Sequence, residues 1–198
     1  MELDLDFTDG QTPLDDDEKA DLKIPTIATR GDLDEYEQHN IEQALQWIVG
    51  NTFTAEQIFT ESFIKELHKR MYGDVWKWAG EFRKTNKSIG IDKSQIVPQL
   101  RMLLDDAKYW IEHETYPPDE LAVRFKHRLV NIHCFPNGNG RHSRLMADII
   151  IEKLYGKTPF TWSAANLVKE GEPRKVYITA IKTADAGDIN PLLKFSRS

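Results

Sequence analysis

The chain has 198 residues, 40% hydrophobic, 10% aromatic and 29% charged, with a formal net charge of -6. That length favours one domain able to close a core, and 5 Trp, 9 Phe and 6 Tyr supply anchors that a disordered chain lacks. No apolar run reaches the roughly 18 residues of a membrane span. A single cysteine, Cys134, excludes a disulfide framework and a multi-cysteine zinc site and suits a reducing cytoplasm.

Residues 1–23 hold nine acids and two lysines, which leaves 23 acids and 24 bases in the rest of the chain. The acidity therefore belongs to an arm, residues 1–30, expected as a solvated, partly mobile tail. The body, residues 31–198, reads as a single near-neutral domain without a basic stripe, so no direct nucleic-acid partner is expected. The opening MELDLDFTDG lacks a basic stretch followed by an apolar one, so no secretory signal is expected.

Past the arm the periodicity is mostly helical. Asp32 and Glu35 read as a capping box, after which Tyr36, Ile41, Ala44, Leu45 and Ile48 recur at helical spacing up to Gly50. Thr54 with Gln57 opens a short segment, and Phe63, Ile64, Leu67 and Met71 mark a helix closed by Gly73. Residues 82–97, FRKTNKSIGIDKSQIV, mix β-branched residues with turn formers and predict a β-hairpin. Pro98 begins a helix with Leu100, Leu103, Leu104, Ala107, Trp110 and Ile111 on one stripe, and Pro117-Pro118 opens another. A Gly-rich turn at 136–140 separates that helix from the next, which runs to Gly156; Val176, Ala180, Ile181 and Ala184 mark a further helix after Pro173. The fold class is all-α, a helical bundle with one projecting β-hairpin flap.

The chemistry concentrates in Asn131-Ile132-His133-Cys134-Phe135-Pro136-Asn137-Gly138-Asn139-Gly140-Arg141-His142-Ser143-Arg144. One helix ends at His133 and another starts near Gly140. The first amides of a helix have no partner within it and carry the positive end of its dipole, which makes them an anion site. Arg141 and Arg144, in the first turns of that helix, oppose the dipole unless something negative compensates. His133 can take a proton from a hydroxyl. His142 and Ser143 are expected on the exposed side, Cys134 as packing, and Trp76, Trp78 and Trp110 in the core. Lys84, Lys87 and Lys93 read as solvated flap lysines. The spacing of His127, His133 and His142 matches no helical zinc motif.

This string resembles the Fic (Fido-domain) motif HxFx(D/E)GNGRxxR through His133, Phe135, Gly138, Asn139, Gly140, Arg141 and Arg144. Trp78-Ala79-Gly80-Glu81-Phe82-Arg83 is similar to the family's WAGxxR segment, and Ala184 to Asp188 with Pro191-Leu192 to its AxxGDxxPL signature. The variant HCFPNGNGRH looks closest to the bacterial branch labelled "mobile mystery protein B". The resemblance implies a protein adenylyltransferase that moves AMP from ATP to a hydroxyl side chain of a target protein. It implies His133 as general base, Phe135 packed inward, and Gly138, Asn139 and Gly140 as the anion hole. Arg141 and Arg144 would meet the outer phosphates, and the target would lie along the 83–97 hairpin.

Two departures matter. Asn137 stands where the family has an acid that holds Mg²⁺, so weaker metal binding and attenuated activity are expected. The alternatives are a nucleotide-binding regulatory module, or transfer of another phosphate-containing group in a kinase-like reaction. No strict [S/T]xxxE[G/N] inhibitory motif is present. Inhibition would then come from an antitoxin-like chain, from Glu35, Glu37 or Glu42 of the first long helix, or be absent.

Overall fold

The computed structural model describes residues 14–164 and 171–198, so whatever the sequence leads one to expect of residues 1–13 lies outside the described residues. The helix starts follow from local capping. α2 (Arg30–Val49) begins at Thr29, whose hydroxyl accepts the Asp32 N–H while the Asp32 carboxylate reaches back to the Thr29 N–H. The capping box is thus one turn earlier than Asp32 and Glu35 suggest. α3 (Ala55–Ile58) opens on the Thr54–Gln57 box as expected, and α4 (Glu61–Tyr72) is capped by Thr60 and ends at Gly73. α5 (Ile96–Glu112) carries Pro98 in its first turn, and α6 (Pro118–Ile132) starts on the Pro117-Pro118 pair. α7 (Asn139–Ile149) continues into a π-helical turn, Ile150–Leu154. α8 (Glu172–Asp185) and α9 (Asn190–Ser196) close the chain; α9 is too short for its periodicity to show.

Packing pairs α6 with α7 and α5, α2 with α4, and α8 with α9. Leu67, Met71, Leu100, Leu103, Phe125, Phe135, Met146 and Ile149 are sealed in one core, with Trp76 and Trp78 buried and Trp110 half-buried against it. This is the all-helical bundle expected. Among the described residues no helix is long and apolar enough to cross a membrane.

The expected hairpin at 82–97 does not form. Residues 83–92 make a loop with no strand, and 93–97 enter a 3₁₀ turn and the start of α5. The reason lies in one side chain. The buried Arg83 guanidinium donates to the carbonyls of Thr85 (2.7 Å), Ile91 and His133 (2.6 Å), supplying from a side chain the bonds a strand ladder would have made. Asn86 adds a cross-link, donating to Asp92 and accepting the Lys93 N–H.

The arm is not all tail. Leu14 and Ile27 are buried, and a short α1 (Asp16–Ala20) leads to an antiparallel bridge between Leu22 and Trp76. The Lys23 N–H donates to the Val75 carbonyl, the Lys77 N–H to the Asp21 carbonyl, and Trp78 Nε1 to the Glu18 carbonyl. Residues 14–29 therefore lie against the body.

Gly90 sits at φ +94°, and a Cβ there would fall 2.4 Å from the His133 Cβ. Gly90→Ala combines a left-handed strain with that clash. It should lower stability by about 1–3 kcal/mol or lift the loop. Urea titration with amide exchange over residues 84–92 reads both, and a variant unchanged in each would contradict the contact.

Candidate functional site

The site grows from the junction of α6 and α7. His133 terminates α6 in a left-handed conformation (φ 57°, ψ 60°), a geometry that non-glycine residues hold only where the surroundings enforce it. Here Arg83 enforces it: its backbone N–H donates to the Cys134 carbonyl and its Nε to the His133 carbonyl. The turn that follows is closed by Asn139, whose Oδ1 accepts the Phe135 N–H (2.9 Å) and whose Nδ2 donates to the Phe135 carbonyl (2.8 Å). Phe135 is fully buried, stacked on His68 with centroids 3.7 Å apart, as its inward-packing role requires.

His68 is a residue the sequence reading passed over. The Gly80 N–H donates to its Nδ1 (3.0 Å), which leaves Nε2 to donate to the Asn137 carbonyl (3.1 Å). Burial pushes its pKa well below the ordinary value and keeps it neutral. Thus α4 grips the turn through one imidazole. Its only sequence signal is its place on the same helix face as Ile64, Leu67 and Met71.

Gly138 adopts φ +75°, and a Cβ on it would meet the Tyr72 ring at 2.5 Å, so the chain needs glycine here. Among the described residues no side chain caps α7. The first amides of a helix have no partner within it, and such a start suits an anion. Because the Asn139 amide is committed to Phe135, only its backbone can serve a ligand. Gly140 lies beside the Arg144 guanidinium, 3.8 Å from where a Cβ would stand.

The two arginines differ. Arg141 Nη2 donates to Glu37 Oε2 at 2.6 Å, and Glu37 Oε1 accepts Trp76 Nε1 at 2.8 Å. Burial works against the charge on Arg141, but the Glu37 carboxylate more than reverses this and holds it protonated. Arg144 has no carboxylate partner among the described residues; its guanidinium lies over the Tyr177 ring, 5.4 Å from the centroid. Lys126, fully buried, places Nζ 4.7 Å from the same ring, so two cations face the buried Tyr177 phenol. Burial would raise the Tyr177 phenol, but Lys126 and Arg144 outweigh it and bring it to about 8. So of the three acids of α2 considered from sequence, Glu37 is the one that reaches the site, and it meets the first arginine.

His133 is 5% exposed beneath the 83–92 loop. Burial, with Arg83 and Lys87 nearby, lowers its pKa to about 4, against a hydrogen bond to the Val130 carbonyl. The imidazole is therefore unprotonated at neutral pH. Cys134 is buried, its thiol pushed up to about 12 by burial, consistent with packing. His142 and Ser143 are not exposed as expected. Both are buried, His142 edge-on to Phe135 with Nε2 near the Ile64 carbonyl, because the α7 face they occupy packs on α4. Lys87 is not solvated either; Asp15 and Glu18 enclose it.

The donor set does not fit a resident Mg²⁺. Position 137 offers an amide, its Oδ1 accepts the Gly138 N–H at 2.6 Å, and among the described residues no three His, Cys, Asp or Glu side chains cluster.

Residues 58–151 match the Fic/DOC family. The chain is 26% identical over 167 residues to "Protein adenylyltransferase Fic" of Aedes aegypti, an alignment that spans 80% of this chain and 32% of that protein. It spans a third or less of the length of such relatives. Its fold superposes on Fic-1 (residues 134–508) of C. elegans with TM-score 0.66 at 23% identity, covering 90% of this chain and 51% of that one. It also superposes on BepC of Bartonella tribocorum, solved with bound AMPPNP, with TM-score 0.66 at 18% identity, covering 91% and 95%. The uncapped glycine turn, His133 and the two arginines lie inside the matched segment, and over residues 58–151 the chain carries a domain of the Fic/DOC family.

Proposed function

We propose that the chain transfers AMP from ATP to a hydroxyl side chain of another protein. One observation carries this reading: a neutral imidazole and an uncapped helix N-terminus flank the same five-residue turn, with Arg141 and Arg144 on that helix. The names of the curated relatives and the AMPPNP bound to BepC support it. The HCFPNGNGRH string favours the bacterial "mobile mystery protein B" branch, and the lone buried thiol favours a cytoplasmic setting.

In this mechanism the amides of Asn139 to Arg141 hold the phosphates, and Arg144 takes the terminal one. His133 removes the proton from the target hydroxyl as its oxygen attacks the α-phosphorus. The bond from that phosphorus to the bridging oxygen breaks, and pyrophosphate leaves with the electron pair. Catalysis is mainly positioning plus stabilisation of charge on the phosphoryl oxygens. The 83–92 loop lies over His133, so it must move before a target segment can lie along residues 83–97. A second reading, a nucleotide-binding regulatory module, draws on Asn137, whose amide bonds its own turn. Transfer of another phosphate group is the third outcome that labelling resolves.

The test is incubation with ATP labelled at the α- or the γ-phosphate. Protein labelled from the α-position, and lost in His133→Ala while ATP still binds, is expected. Label from the γ-position, or none despite ATP binding, would refute the transferase reading.

A base with a pKa of about 4 instead of 6.5 is deprotonated throughout the neutral range. The His133 ring signals, followed by NMR in the nucleotide-free chain, should therefore stay level from about pH 8 to about pH 5 and shift only as pH nears the lowered value. A titration centred near 6.5 would show that the imidazole is not buried beneath the loop.

Glu37→Gln keeps an acceptor for Trp76 but frees Arg141 and removes a competing anion. ATP should bind about tenfold more tightly by calorimetry, and unchanged affinity would show that Arg141 does not meet ATP. Asn137→Asp should raise the Mg²⁺-dependent labelling rate; an unchanged rate would remove position 137 from metal binding.

A further inference from the structure

The acidic face of α1 is turned toward the loop that covers His133. Asp15 Oδ2 accepts the Thr85 hydroxyl at 2.7 Å and lies 2.9 Å from Lys87 Nζ; Glu18 Oε2 lies 2.5 Å from the same nitrogen. The Lys87 side chain is only 3% exposed, so the ammonium is almost sealed beneath two carboxylates. Bonds from Lys87 and then Thr85 hold the Asp15 carboxyl below its ordinary range. Three residues beyond Lys87, Gly90 rests on the His133 Cβ. The segment is fastened at both ends, by buried Leu14 and by the Leu22–Trp76 bridge. α1 itself buries no side chain. A groove of about 390 Å³ lies between it and the loop, lined by residues including Asp15, Glu18, Lys77, Phe82, Arg83 and Pro136. Its hold on the loop is therefore one of charge and hydrogen bonding and not of apolar packing.

We propose that the Thr85–Lys87 face of this loop is an interaction surface for an acidic segment, occupied in cis by Asp15 and Glu18, and that this occupancy latches the loop over His133. Arg83 fixes the two roots of the loop, and α1 holds its outer face. A desolvated ammonium stripped of its partners is costly, so whatever displaces α1 must bring carboxylates of its own. The target segment that docks beside His133 is accordingly acidic. What the covered imidazole does rests on the transferase reading, but the latch itself does not.

The test uses the full chain with Asp15→Asn and Glu18→Gln together. Asn is as good an N-cap as Asp, and Gln keeps the capping box, so α1 loses charge without losing its cap. His133 is then probed with diethyl pyrocarbonate and its acylation rate read by peptide mass mapping. In the wild type the rate should be slow and should rise with ionic strength, since the latch is partly screened. In the double variant it should be about tenfold faster and insensitive to salt. Asp15→Lys with Glu18→Lys should also expose His133, and adding Lys87→Glu should close it again. A double variant that is folded by circular dichroism yet no more reactive than wild type overturns the latch, as does failure of the charge-swapped variant to restore protection. Because acylation needs no ATP, a faster rate without any AMP transfer would sink the transferase reading and leave the latch standing.

Discussion

Everything at the site depends on the pair of hydrogen bonds between the Asn139 amide and the Phe135 backbone. They close the turn on itself while Asn139 starts α7. The cap position itself is Gly138, which has no side chain, and the Asn139 amide is committed to Phe135, so among the described residues no side chain caps the helix start. Phe135 then drops into the core against His68, which reaches the Asn137 carbonyl from α4. A loop that binds polyanions by backbone must be rigid before the ligand arrives, and here rigidity comes from amide and imidazole side chains whose polar atoms are all partnered.

The same design creates a charge problem. Arg141 stands in the first turn of α7, where it opposes the dipole by roughly 0.3–1 kcal/mol, and Arg144 follows one turn on, where the effect is weaker. The sequence alone suggests that a bound anion resolves this. The structure resolves half of it internally, since Glu37 meets Arg141 from α2, 104 residues away in sequence. Arg144 is left over the Tyr177 ring with buried Lys126 close by. Among the described residues neither cation meets a carboxylate, and Arg144 stands at the position assigned to the terminal phosphate.

Much of this was legible from local chemistry. Gly50, Gly73 and the Pro117-Pro118 pair mark helix ends because backbone geometry acts within a few residues. His133, the glycine turn and the arginines lie on one short stretch of chain. Long-range side-chain pairing was not legible. Nothing in the stretch around Glu37 or Lys87 shows that each is half of an ion pair with a distant helix or loop. The hairpin expectation failed for a related reason: β-branched residues at 82–97 have the propensity, but one buried arginine took the carbonyls that a ladder would have used. His142 misled because a polar residue on an amphipathic helix is more often solvated than packed on a neighbouring helix.

The account's central claim is that the start of α7 holds the phosphates of a nucleotide beside His133. An ATP titration followed by backbone amide NMR tests it most directly. The account predicts that the largest saturable shifts fall on Gly138, Asn139, Gly140 and Arg141, and that Arg144→Ala weakens them. Shifts centred elsewhere, or none at those four amides under saturating ATP, would contradict it.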